Sequence, residues 1–274
     1  MVRNNIHWDG VVTFLLKYGD IVVKLSRLLN TTFMKKEDFE KPIGRALKEI
    51  VGYYNAGLYQ FADYEIARLR MLTKHLQEIE QCDPTLLQKY GEKINKSDSD
   101  YYGFRFEVAV ASSFIRKKLR FITPDPPDFK VTYNSEEIFI ECTSRHISPN
   151  KSLDVLREVE RAINKKGGRR YDIPKCALFI DITNLCYLAH LKNQVGQFAN
   201  IKEFKESVRQ ILEKYNFGSV LLFIYIMNKT EKRFELDYVR VDNKCIDHVL
   251  RNFLDESYPM DEHDVSDFAI PKHG

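Results

Sequence analysis

The stretch PPDFKVTYNSEEIFIECTSR (126–145) contains two strand patterns separated by a polar turn. Segments 129–133 and 138–144 are rich in β-branched and aromatic residues, which favour strands. The intervening Asn134-Ser135-Glu136-Glu137 is typical of a turn. We therefore predict an antiparallel hairpin at this point.

The hairpin is predicted to bring two acids to one side of a sheet. Alternate residues of a strand point to the same side, so Asp128 shares a face with Lys130, and Glu141 shares one with Thr143. A turn centred on residues 135–136 would pair Asp128 with Thr143 and Lys130 with Glu141. A turn centred on residues 134–135 would pair Asp128 with Glu141. Both registers place the two acids on the same face, unless a bulge intervenes.

Two carboxylates on one sheet face repel each other unless a cation lies between them. Magnesium prefers oxygen ligands, often one or two protein carboxylates together with waters and a substrate phosphate. The alternative is a pair of surface acids on a solvated hairpin, but the apolar run IFI (138–140) argues against full exposure. A third acid, Glu107, lies on an otherwise apolar helix face and needs a positive partner.

Outward from the hairpin, helix and strand patterns alternate. We predict an α/β fold whose mixed β-sheet is flanked by helices, preceded by an all-helical region at 8–30 and 37–95. The polar segment KINKSDSD (93–100) suggests a boundary between a domain at 1–97 and a domain at 98–274. Further strands are predicted at 119–123, 177–183, 219–227 and 234–241, and further helices at 101–118, 151–165, 201–215 and 245–254.

Composition excludes several classes of protein. The 42 basic and 39 acidic residues leave a net charge of +3, so binding to phosphate must come from local clusters. The five cysteines include no CxxC pair, which favours a cytoplasmic protein, and no membrane span or signal peptide is predicted. No P-loop, GxGxxG, GxSxG or HExxH motif is present.

Three segments, FRFEVAVASSF (104–114), PPDF (126–129) and IFIECTS (138–144), together resemble the PD-(D/E)XK nuclease superfamily. The resemblance implies a restriction-endonuclease-like core and a magnesium-dependent endonuclease, with manganese as a substitute, acting on DNA in restriction, defence or repair. It also implies that Asp128 and Glu141 bind the metal, that Cys142 contributes its backbone carbonyl, and that Glu107 supports the site.

The sequence departs from that motif at one position. Thr143 stands where the motif has lysine, and a threonine can neither supply positive charge nor activate water. Lys130 is the first candidate to replace the lysine, because it lies on the same predicted face, and Arg145 is the second. Without such a cation the chain would be a weak nuclease or a catalytically degenerate nucleic-acid-binding protein on the same fold. A protein-interaction module is a third alternative.

A basic segment, KKGGRR (165–170), is a candidate for binding the phosphate backbone of DNA, although a solvated loop would have the same composition. The helical N-terminal region is expected to provide target recognition or homodimer contacts. The residues predicted to bind nucleic acid are Lys165, Lys166, Arg169, Arg170 and His146.

Overall fold

A computed structural model describes residues 8–33, 35–94, 98–147, 151–192, 194, 200–228 and 233–260. The chain forms two compact units, residues 1–112 and 113–274. The division falls inside one helix, Asp98–Arg116 (α5).

Every element described in the first unit is helical, as the sequence predicts. In α1, buried Phe14, Ile21 and Leu28 recur every seven residues, which gives the helix one apolar stripe. Both α1 and α2 pack against α3. Among the described residues, no helix has the length and apolar character needed to cross a membrane. The elements are α1 (Trp8–Leu28), a 3-10 helix (Lys36–Glu40), α2 (Pro42–Asn55), α3 (Tyr59–Cys82), α4 (Pro84–Ile94) and the first part of α5.

The second unit is an α/β structure built on a mixed sheet, which confirms the predicted fold class at that level. Six strands follow one another in sequence order across the sheet. The central strands β3, β4 and β5 are parallel, and the outer pairs are antiparallel. The strands are β1 (Arg120–Ile122), β2 (Phe129–Tyr133), β3 (Glu136–Ser144), β4 (Cys176–Asp181), β5 (Ser219–Asn228) and β6 (Arg233–Asp242).

Among the described residues, four helices of the second unit accompany this sheet together with the end of α5, and one of the four was not predicted. The sequence pattern extended the fourth strand to residue 183, but the strand ends at Asp181 and α7 begins at Thr183. The Thr183 amide donates to Asp181 Oδ1 at 2.9 Å, so the aspartate satisfies an amide at the helix start. The helices are α6 (Val155–Lys166), α7 (Thr183–Leu191), α8 (Ile201–Leu212) and α9 (His248–Ser257).

The β2–β3 hairpin adopts one of the two registers considered from the sequence. Phe129 pairs with Ile140 and Tyr133 with Glu136, so the turn is centred on residues 134–135. Asn134 and Ser135 have φ values of 48° and 66°, as in the type I′ turns that favour asparagine. Continuing this register by one residue places Asp128 beside Glu141.

The two faces of the sheet are covered by different helices. On one face, Leu178 and Ile180 of β4 pack in a core with buried residues of α6 and α8. On the other face, the Phe129 ring packs edge-on against Phe114 of α5, with centroids 5.3 Å apart. Glu141 pairs with Leu178 in the parallel ladder and therefore points to the face covered by α6.

Candidate metal centre

Asp128 and Glu141 are held together by backbone hydrogen bonds. The Cys142 amide donates to Asp128 Oδ2 at 2.6 Å, and the Asp128 amide donates to Glu141 Oε2 at 3.3 Å. Glu141 is only 2% exposed, whereas Asp128 is half-buried at the start of β2. The geometry places two carboxylates from adjacent strands at one point of the sheet.

The electrostatics of this pair favour an added positive charge. Burial first, and then the charge of Glu141, raise the pKa of Asp128 from 3.8 to about 7. The Cys142 amide and the charge of Lys166 act in the opposite direction but do not cancel this rise. A proton or a cation bound at the pair would therefore relieve an unfavourable charge interaction.

Lys166, the last residue of α6, supplies an ammonium group to Glu141. Its Nζ donates to Glu141 Oε1 and forms an ion pair with it. Burial lowers the pKa of Lys166, but the charge and hydrogen bond of Glu141 outweigh that effect and raise the pKa overall. Lys166 therefore stays protonated and brings a positive charge to Glu141.

The amphipathic pattern of α6 explains how Lys166 reaches the site. Val159, Ala162 and Ile163 are buried against the sheet, and Lys166 follows Ile163 by three residues. Residues three or four apart share one side of a helix, so Lys166 continues the buried stripe. The helix extends one residue beyond its predicted end at 165, and for that reason Lys166 was assigned to the basic loop instead of the site.

Lys130 and Arg145, the two cations predicted to replace the motif lysine, have other partners. Lys130 lies opposite Phe139 in the hairpin, and its Nζ forms a 2.7 Å ion pair with the exposed Glu137. Glu137 lies next to the turn, so the ammonium group of Lys130 remains partly hydrated when it pairs there. Partial hydration costs less free energy than burial of the charged group. The structure thus brings Lys166, and not Lys130, to Glu141.

Arg145 neutralises a different buried carboxylate. Its Nη2 donates to Glu158 of α6, and Arg161 donates to the other oxygen of the same carboxylate. Burial raises the pKa of Glu158, but these hydrogen bonds and charges lower it below its ordinary value. Arg145 is therefore engaged in attaching α6 to the end of β3. Thr143 lies between the two clusters and is half-buried.

The basic segment after α6 is a structured turn that contacts both halves of the site. Arg170 Nη2 donates to the Pro126 carbonyl at 3.1 Å, two residues before Asp128. At the end of the turn, burial and the charge of Glu141 raise the pKa of Tyr171 to about 12. Sequence reasoning missed Tyr171, because nothing in its neighbourhood distinguishes it from a core tyrosine.

The remaining predicted residues lie at the periphery or in the other unit. Lys165, Arg169 and His146 are exposed, and their contact with nucleic acid stays a prediction. Glu107 is half-buried in the part of α5 that belongs to the first unit, and its supporting role likewise stays a prediction. The same holds for the carbonyl of Cys142 as a metal ligand.

The donor set suits a hard cation with few protein ligands. Across the part of the chain that the structure describes, no group of three or more His, Cys, Asp or Glu residues is arranged to hold a metal. A pair of carboxylates completed by waters and a phosphate is nevertheless the usual arrangement for magnesium. Comparisons with protein-family models, curated proteins and solved structures give no match to this chain. The functional interpretation therefore depends on the geometry around Asp128, Glu141 and Lys166.

Proposed function

We propose that the second unit has a restriction-endonuclease-like core and that the protein is a magnesium-dependent nuclease that hydrolyses phosphodiester bonds in DNA. One observation carries the proposal: Glu141 accepts from the Asp128 amide, Asp128 accepts from the amide of Cys142 next to Glu141, and Lys166 is bound to Glu141. The chain order α5, β1, Asp128 at the start of β2 and Glu141 on β3 supports it, since this is the order of the segments on which the resemblance depends.

Asp128 and Glu141 would hold the metal through their carboxylate oxygens. Glu141 Oε1 is bound to Lys166 and Asp128 Oδ2 to the Cys142 amide, so a cation would use Asp128 Oδ1 and Glu141 Oε2, whose hydrogen bond from the Asp128 amide is long at 3.3 Å. Bound there, magnesium supplies charge stabilisation for the scissile phosphate and lowers the pKa of a bound water. The two carboxylates would orient the substrate by fixing the position of the metal ion.

Lys166 takes the part that the motif gives to a lysine in the strand. An ammonium has three N–H donors, and one of them is used by Glu141. The remaining donors can orient the attacking water or bind a phosphate oxygen. With this cation present, Thr143 no longer argues for an inactive site, so the catalytic function is favoured over the degenerate nucleic-acid-binding one.

DNA cleavage is expected to require a divalent cation and both carboxylates. Magnesium or manganese should support cleavage of plasmid or linear DNA, and a chelator should abolish it. Asp128→Asn and Glu141→Gln should each lower the rate about a thousandfold, because several kcal/mol of transition-state stabilisation depend on the metal. Rates are measured on supercoiled plasmid, single-stranded DNA and RNA.

The matched control is Glu136→Gln, on the same strand as Glu141. Glu136 lies at the exposed start of β3 and pairs with Lys175 at 2.6 Å, so the variant should cleave at the wild-type rate. Cleavage that survives Glu141→Gln would contradict the site. DNA that is bound but not cut with any cation would support the nucleic-acid-binding alternative. The absence of affinity for DNA and RNA at low salt would support the protein-interaction alternative.

A further inference from the structure

We propose that the 166–172 turn positions both metal-binding carboxylates, with Tyr171 and Arg170 as its positioning residues. This inference rests on the proposed function, because it assigns a role at the same site. It differs from the expectation drawn from the sequence, in which the basic segment binds the DNA backbone. Three sets of contacts support it, one at Glu141, one next to Asp128 and one within the turn itself.

At Glu141, the two ends of the turn converge on one carboxylate. Lys166 forms an ion pair with Glu141, and burial together with the charge of Glu141 raises the pKa of Tyr171, as expected for a tyrosine that lies near this carboxylate. Tyr171 is 9% exposed, and its ring lies beside Phe217 with centroids 6.3 Å apart. One short segment therefore supplies both the cation bound to Glu141 and a buried tyrosine that its charge influences.

Next to Asp128, the turn contacts the segment that leads into β2. The Arg170 guanidinium donates to the Pro126 carbonyl at 3.1 Å. That segment is also bonded internally, because the Asp125 amide donates to the Pro127 carbonyl at 3.0 Å. Arg170 thus connects the element that holds Glu141 to the residues that precede Asp128.

Within the turn, Asp172 makes the backbone rigid. Its two carboxylate oxygens accept from the Gly168 and Asn216 amides, each at 2.7 Å, and its own amide donates to the Arg169 carbonyl at 2.8 Å. Asp172 is 6% exposed. Gly168 has a φ of +70°, which favours glycine. These contacts describe a fixed turn, not the flexible loop that its composition suggests.

The inference is tested by measuring manganese affinity in the absence of nucleic acid, together with kcat and KM for DNA. Electron paramagnetic resonance reports the free ion. Tyr171→Phe and Arg170→Met should each weaken manganese binding about tenfold and lower kcat about tenfold, because partners of metal ligands typically contribute that much. KM for DNA at saturating metal should stay unchanged. Arg170 is exposed, so its variant will fold even if Tyr171→Phe does not.

Two controls match these substitutions. Tyr215→Phe removes a neighbouring hydroxyl that donates to Asn164 at 3.0 Å, and Arg251→Met removes an exposed arginine of α9. Both should retain wild-type manganese affinity. If Arg170→Met raises KM and lowers the salt dependence of DNA binding while manganese affinity is unchanged, the turn is a DNA contact and the inference is overturned.

The wild type separates this inference from the proposed function. If the wild type binds manganese and cleaves DNA, and Tyr171→Phe and Arg170→Met do both equally well, the positioning role of the turn is overturned and the proposed function stands. A wild-type protein that neither binds manganese nor cleaves would overturn the proposed function and the inference together.

Discussion

Replacing Lys166 by methionine is expected to lower kcat for DNA cleavage at least about a hundredfold. Methionine keeps much of the length of the side chain but removes the ammonium that is bound to Glu141. A preorganised donor that stabilises the charge developing in the transition state typically contributes roughly a hundredfold to a thousandfold. The measurement is single-turnover cleavage at saturating magnesium, with manganese affinity determined in parallel to show that the metal still binds.

Lys130→Met is the control that decides between the two lysines. Lys130 pairs with Glu137 at 2.7 Å on the exposed part of the hairpin, so its variant should cleave at nearly the wild-type rate. Lys166→Arg should restore only part of the activity, because the planar guanidinium keeps the charge but holds its N–H donors in a different, fixed geometry. If Lys130→Met abolished cleavage and Lys166→Met did not, the assignment of the active-site cation would be wrong.

Asp128→Asn is expected to stabilise the metal-free protein at pH 8 while it removes activity. The rise of the Asp128 pKa from 3.8 to about 7 means that folding disfavours the charged carboxylate. That difference corresponds to about 4 kcal/mol, and solvent screening of a half-buried group reduces it to roughly 2 kcal/mol. Asparagine can still accept the Cys142 amide, so the variant should unfold at a temperature about 4–8 °C higher.

The stabilisation should depend on pH in one direction. The pKa of Asp128 is higher in the folded state than in the unfolded state. The free energy of unfolding of the wild type is therefore largest below about pH 4 and falls as the pH rises to about 7. The advantage of Asp128→Asn should therefore grow between these values and remain constant above them. Thermal unfolding in chelator from pH 4 to pH 8 measures this difference.

Magnesium should reverse the order of stability, because it binds the folded wild type and not the variant. Asp63→Asn is the matched control. Asp63 is exposed in the first unit, and its ion pair with Lys17 is long, at 3.9 Å. It should change the unfolding free energy by less than about 0.5 kcal/mol at every pH. An Asp128→Asn protein that is less stable than the wild type at pH 8 in chelator would contradict the charge repulsion at this site.

The hairpin and the common face of Asp128 and Glu141 could be predicted because they depend on strand periodicity alone. Strand periodicity allows two centres for the turn, 134–135 and 135–136, although the residues at these positions distinguish between them. A type I′ turn needs positive φ at both central residues, and Asn134 adopts that conformation more readily than Glu136 does. Local backbone preference thus selects the register that places Asp128 beside Glu141.

The position of Lys166 could not be predicted in the same way. Its contact with Glu141 spans 25 residues and depends on how α6 crosses the sheet, which strand periodicity does not determine. The apolar stripe of α6 indicates that Lys166 faces inward, but not which strand residue it meets. Lys130, by contrast, pairs with Glu137 seven residues away, because a charged neighbour across the turn was available at lower desolvation cost.

The lysine that contacts Glu141 lies 25 residues after it in the sequence, and this spacing changes which sequence pattern would find related proteins. A search pattern that demands glutamate and lysine two positions apart excludes any protein built like this one. A pattern anchored on an aspartate, a glutamate 13 residues later and a lysine in the last turn of the next amphipathic helix would retain them. In such relatives the number of residues between the glutamate and the lysine would vary with the length of that helix. Insertions before the helix would not change the contact between the two side chains.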